Sequence, residues 1–125
     1  MKSFNRNYTH STSCTCISNH GHQSREEAEY CNILLFMKKA KEIKDYSVQY
    51  GVDLTVNGKT ICRHIVDFRV ENNDGSIEMY EYKGFPTAIW DLKRKLFEAL
   101  YPDIKYNIKT KKDLMPYRSR RQYGR

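Results

Sequence analysis

The dipeptide Asn57-Gly58 constrains this chain more than any other feature. Both residues tolerate positive φ, which a two-residue type I′ hairpin turn requires at its two central positions. Long runs with strand character flank it, from Ile43 to Val56 and from Thr60 to Val70. An antiparallel pair is therefore expected at the centre of the fold. A second turn signal, Asn72-Asn73-Asp74-Gly75, leads into a third strand from Ile77 to Lys83, which Gly84-Phe85-Pro86 ends. Thr87 can then cap a helix that ends near Leu100, with Pro102 beyond it as a stop. Ile104 to Ile108 reads as a short last strand. Upstream, Ser24 and Glu27 make a capping-box pattern ahead of a helix from Arg25 to about Lys41.

The predicted order is helix, three strands, helix, strand, tail. Three strands joined by short turns form an antiparallel meander, and the following strand–helix–strand step makes the last pairing parallel through a right-handed crossover. The expected fold class is α/β: a mixed four-stranded sheet flanked by two helices (αβββαβ). Three regions follow: a polar Cys/His-containing arm over residues 1–23, a core domain over 24–108 and a basic tail over 109–125. A chain of 125 residues is one domain by length and can build a core without disulfide help.

The net charge is +7, and it is concentrated at one end. Residues 109–125 hold seven basic side chains and one acid, so the rest of the chain is close to neutral. A near-neutral body with a basic tail suits a polyanion, most simply nucleic acid. Arg118, Arg120 and Arg121 are candidate contacts, with Tyr117 and Tyr123 among them able to stack on bases. A solvated, disordered tail would carry the same charge run. No apolar run approaches the roughly 18 residues of a membrane span, and the N-terminus lacks a signal-peptide pattern. A cytoplasmic protein without membrane contact is expected, so its four cysteines are not expected to form structural disulfides.

The acidic residues give the sharper lead. In Arg63-His64-Ile65-Val66-Asp67-Phe68-Arg69-Val70, alternation puts Val66, Phe68 and Val70 on one face and Asp67 with Ile65 on the other. Apolar neighbours place Asp67 near the core, where an unpaired carboxylate must neutralise, pair or bind metal. Glu81 follows one hairpin later, and adjacent strands are about 4.8 Å apart, so the two can converge. Such oxygen ligands suit Mg2+. Lys83 projects on the same side of its strand as Glu81, opposite Tyr80 and Tyr82, where an amine can handle water or phosphate charge. A cross-strand ion pair on a solvated face has the same short pattern. On the first helix, Tyr30, Cys31, Ile33, Leu34 and Met37 centre on a face that Glu27 shares, with Glu26 at its margin and Glu29 facing away. Glu27 either aims at the sheet or only closes the capping box.

The succession "SREEA", "IVDF", "EYKG" and "DLKRKLFEALYP" resembles the PD-(D/E)XK nuclease superfamily, with its restriction-endonuclease-like core, and especially a small, mostly phage-encoded branch. The resemblance spans roughly Ser24 to Ile108. It implies that Asp67, Glu81 and Lys83 are the D…(D/E)-x-K core, and that Glu27 is the helix glutamate supporting the metal directly or through water. Lys93 and Lys95 match basic positions on the second helix, Lys93 being the better placed for a phosphate. Val66 stands where the superfamily's name has proline. The implied reaction is Mg2+-dependent (or Mn2+-dependent) phosphodiester hydrolysis by a DNA endonuclease. A homodimer working on two strands, in the cytoplasm of a host cell if phage-encoded, would suit branched or recombination-intermediate DNA by analogy.

The arm reads Cys14-Thr-Cys16-Ile-Ser-Asn-His20-Gly-His22, with Cys31 inside the first helix. Four of these five could form a tetrahedral zinc site, although the spacing is not that of a standard finger. A flexible arm and an ordinary core cysteine is the other reading. Two rival functions remain at this level: a non-catalytic nucleic-acid-binding module, and a zinc-stapled interaction domain.

Overall fold

In the computed structural model, Asn57 and Gly58 take φ of 50° and 78°. They close the expected hairpin between β3 (Asp45–Val56) and β4 (Lys59–Glu71). The structure describes residues 14–123, with side chains through Tyr117. Ahead of the hairpin lie β1 (Cys14–Thr15), β2 (Gly21–His22) and α1 (Arg25–Lys39). After it come β5 (Ile77–Tyr82), α2 (Ala88–Leu100), β6 (Lys105–Lys109) and α3 (Lys111–Tyr123).

The fold is α/β, with a four-stranded sheet in the order β3-β4-β5-β6. The first three strands are an antiparallel meander, and β6 adds parallel to β5 after the α2 crossover. Among the described residues three helices accompany the sheet, one more than expected. On one face, Tyr30, Cys31 and Leu34 of α1 pack with Phe68, Val70 and Leu114. On the other, Phe97 of α2 packs with Leu54, Val66 and Met79. Burying a side chain such as Phe97 or Leu34, each 1% exposed, contributes about 1.5–3 kcal/mol, so each helix is held by its apolar stripe. Both N-caps are as expected: Ser24 Oγ accepts from Glu27 N at 3.1 Å, and Thr87 Oγ1 from Trp90 N at 3.2 Å.

Three expectations change. The tail is helical over Lys111–Tyr123, and buried Leu114 ties it to the α1 face. Its start has a capping signal that the charge run obscured: the Asp113 carboxylate accepts the Thr110 N–H at 2.7 Å. The side chains of Arg118, Arg120 and Arg121 lie outside the described residues, as do residues 1–13 of the arm. Residues 14–22 are also ordered, as a two-stranded ribbon pairing Cys14 with His22 and Thr15 with Gly21. Finally, Val66 and Phe68 do not share a face, since Val66 belongs to the α2-side cluster and Phe68 to the α1-side cluster. The alternation breaks between them, opposite Gln49, which has φ 53°. Ile65 is 52% exposed while Asp67 is buried. Among the described residues, no helix is long and apolar enough to cross a membrane.

Candidate active site

The same irregularity opens the sheet. Regular β3–β4 pairing passes from Val48↔Phe68 to Tyr50↔Val66 and omits Gln49 and Asp67. The β4–β5 pairing stops at Phe68↔Tyr80. Past that point Asp67 Oδ2 takes the Tyr82 N–H at 2.9 Å, so a side chain replaces the ladder and the two strands part. The gap is a cleft of about 370 Å³. Glu27, Asp67, Glu81, Lys83 and Lys93 all line it, together with Gln49, His64 and Trp90. The candidate residues from α1, β4, the end of β5 and α2 thus meet in one place.

Each carboxylate is anchored by one oxygen. Glu27 Oε2 takes Gln49 Nε2 at 3.0 Å and His22 Nδ1 at 3.0 Å. The Glu27 side chain therefore turns to the sheet, while its backbone N–H serves the Ser24 cap. Asp67 uses Oδ2 for Tyr82. Glu81 Oε1 accepts the Tyr106 hydroxyl at 2.5 Å. Glu27 Oε1 and Asp67 Oδ1 are left without a protein donor among the described residues. All three acids are buried, at 5%, 9% and 3% exposure. Three buried carboxylates lining one cleft offer the type of oxygen donor that a hard cation takes.

The electrostatics agree with that crowding. Burial, followed by the nearby charges of Glu27 and Glu81, pushes the Asp67 carboxyl up to about 8. Burial also raises Glu81, against the opposing pull of the Tyr106 hydroxyl and Lys83. Burial first, and the Glu81 carboxylate next, hold the Tyr106 phenol far above its ordinary range, so it remains a donor. His64 Nε2 lies 2.7 Å from that hydroxyl. Burial, with Lys93 and Lys83 nearby, lowers His64 to about 4. The ring is thus neutral at physiological pH. With the hydroxyl proton committed to Glu81, His64 donates Nε2–H to Tyr106, giving the chain His64→Tyr106→Glu81.

Lys83 follows β5 directly and donates its backbone N–H to Lys109 O at 2.9 Å. Its ammonium sits over the Trp90 ring, 5.0 Å from the centroid, a cation–π contact that holds the amine at the cleft wall. Lys93 Nζ donates to Arg63 O at 3.2 Å. Lys95 is not in the cleft and pairs with Asp91 at 3.2 Å on the helix surface. A broader depression of about 870 Å³ adjoins the cleft, shares Glu27, Tyr82 and Lys83 with it, and runs to Lys111 and Lys112 at the start of α3. Gln49, His64 and Tyr106 escape the sequence reading, as does the contact of His22, there only a zinc candidate, with Glu27. Each acts through an acid distant in sequence, and only His22, five residues before Glu27, had a local signal.

The Tyr106→Phe variant should lower stability by about 1–2 kcal/mol, because a buried imidazole N–H and a buried carboxylate oxygen both lose their partner. Urea unfolding of this variant and of the unaltered protein measures the difference. Equal midpoints would dismiss the chain from His64 to Glu81.

Of the five arm candidates, Cys16, His20, His22 and Cys31 converge, with one ligand atom from each within 4.8 Å of the others. These four could hold a metal such as zinc. Cys14 is not among them, and it packs against the α1-side core. Neither the curated proteins nor the solved structures contain a match to this chain. One family model, described as protein of unknown function (DUF1064), matches residues 9–115. That span takes in β1 through the first turn of α3, including every acid of the cleft, and the chain belongs to the DUF1064 family.

Proposed function

We propose that this protein is a divalent-metal-dependent DNA endonuclease of the PD-(D/E)XK type. One observation carries the reading: Glu27, Asp67, Glu81 and Lys83, from three separate segments, line a single cleft where β4 and β5 part. The meander with a parallel fourth strand and helices on both faces supports a restriction-endonuclease-like core. Asp67 and Glu81 would hold Mg2+ or Mn2+, with Glu27 joining directly or through water. A bound ion contributes Lewis acidity toward the scissile phosphate and the attacking water.

The chain's own residues do the rest. The backbone N–H of Tyr82 and the Tyr106 hydroxyl orient Asp67 and Glu81, so their remaining oxygens face the cleft. Lys83, held over Trp90, orients the water and offsets the charge that builds on the phosphate. Lys93, on the same helix as Trp90, secures a phosphate in the same cleft. Lys111 and Lys112, along the adjoining depression, take the phosphates that follow. Phe85, 84% exposed at its edge, suits stacking on an unpaired base. One cleft cuts one strand, so a pair of copies would cut two.

The test is a panel of labelled linear, single-stranded, flapped and four-way DNA, incubated with Mg2+ or Mn2+. Cleavage is expected on at least one substrate, and none with Lys83→Ala. A panel left intact by the unaltered protein would refute the proposal, whereas binding without cleavage would mark a non-catalytic binding module. Replacing Lys111 and Lys112 together with alanine should weaken DNA binding about tenfold. It should also flatten the dependence of log K on log salt by about 1–2, as expected for one or two lost phosphate contacts. An unchanged slope would put the DNA path elsewhere.

A further inference from the structure

The Cys/His group beside the cleft is a built site. Cys16 follows β1, His20 precedes β2, His22 lies in β2, and Cys31 projects from the second turn of α1. Cys16, His22 and Cys31 are 5%, 4% and 0% exposed. The turn carrying the first two ligands is fixed by Asn19 N donating to Cys16 O at 2.9 Å and Cys16 N donating to His20 O at 3.2 Å. His20 N also donates to Cys16 Sγ at 3.3 Å, a contact that favours sulfur as thiolate. Asn32 of α1 accepts the Ile17 N–H at 2.8 Å and clamps the turn to the helix. His20 Nδ1 lies 3.4 Å from Cys31 Sγ. Bonds of about 2.0–2.3 Å to a tetrahedral zinc set neighbouring ligands about 3.3–3.8 Å apart.

A second observation points to an ion. His22 Nδ1 is engaged by the Glu27 carboxylate, so a neutral ring carries its N–H there and its lone pair on Nε2. That Nε2 is buried and has no hydrogen-bond partner. An unpartnered polar atom at such depth is costly, and a metal shared with Cys16, His20 and Cys31 would satisfy it. Two sulfurs and two nitrogens select zinc, whereas the carboxylates of the cleft suit a hard ion.

We propose that Cys16, His20, His22 and Cys31 form a tetrahedral zinc site that fixes His22 and, through the Nδ1 contact, positions Glu27 at the acidic cleft. The arrangement is a carboxylate–histidine–metal triad whose carboxylate belongs to a second site. The zinc assignment rests on the four ligands alone. The use made of Glu27 rests on the hydrolytic reading.

The full chain, produced with zinc and purified without chelator, tests both parts. Elemental analysis should find about one zinc per chain, retained in Cys14→Ser and lost in Cys31→Ser and His22→Ala. Exchange into Co2+ should give the intense visible bands of a tetrahedral ion and a near-ultraviolet thiolate band, a readout that needs no variant to fold. Protein without zinc that also gives no such cobalt spectrum, or a Cys16–Cys31 disulfide, overturns the assignment. Mn2+ binding at the cleft, followed by electron paramagnetic resonance, should weaken about tenfold on zinc removal, and equal affinities would sever the link to Glu27. Mn2+ that fails to bind the zinc form overturns the hydrolytic reading, and the link with it, while zinc content still judges the site itself.

Discussion

Asp67→Asn should abolish metal-dependent cleavage, by about a thousandfold or more (a barrier increase of about 4 kcal/mol), and should make the Mg2+-free protein more stable. The two effects have one cause. The Asp67 carboxyl is raised by burial and by the Glu27 and Glu81 charges, to about 8 against 3.8 for the free side chain. The fold therefore favours its protonated form. That contribution is fully present below about pH 4 and disappears as pH rises through about 8. Near neutral pH, unaltered protein without Mg2+ must either hold Asp67 protonated or crowd a further charge beside Glu27 and Glu81, and the asparagine removes that cost. Its side-chain oxygen can still accept the Tyr82 N–H that Oδ2 accepts. Every tenfold change in proton affinity on folding corresponds to about 1.4 kcal/mol. With the charge shared among three carboxylates, the relief is on the order of 2 kcal/mol, or several degrees in Tm. Melting curves from about pH 5 to about pH 8.5, in Mg2+-free buffer without chelator, should show unaltered protein falling behind the variant as pH rises. Added Mg2+ should raise the Tm of unaltered protein and leave the variant nearly unchanged. A variant that melts lower throughout would mean that Asp67 is an ordinary structural acid.

What could be read before folding depended on how local each signal was. Asn57-Gly58 and the Ser24 and Thr87 caps are fixed by neighbours in sequence, and the elements they bound lie within two residues of expectation. Glu27 was legible because its face of α1 follows from a 100° step per residue. The face of Phe68 relative to Val66 was not, because the break in alternation lies opposite Gln49, whose φ of 53° no pattern within β4 reports. The supports of the cleft were further from reach. Tyr106 meets Glu81 only because β6 lies beside β5, and His64 only because its stretch of β4 lies beyond the last β4–β5 pair, across the same gap. The helix over Lys111–Tyr123 was hidden by its own charge, although Thr110 and Asp113 carried its start.

Lys83→Met should reduce turnover on the cleaved DNA by about 10²–10³, with less than a tenfold loss of DNA affinity. The amine occupies the wall that the cleft shares with the wider depression, so it meets both the acids and an entering phosphate. It opposes the upward shift of Asp67 and of Glu81. Methionine keeps the length and apolar bulk against Trp90 but removes the charge. The acids should then release their protons at higher pH, and the metal concentration needed for half-maximal residual activity should rise. Binding would still draw on Lys93, Lys111 and Lys112, which explains why affinity should survive. Trp90→Leu supplies the complementary case, because the charge remains and only the ring beneath it is lost. If placement matters as well as charge, this variant should fall about tenfold in turnover with its metal requirement unchanged. Single-turnover rates and Mn2+ titrations of both variants separate the two contributions. A Lys83→Met protein that cuts at the original rate would remove the amine from the chemistry and leave the acids to act without it.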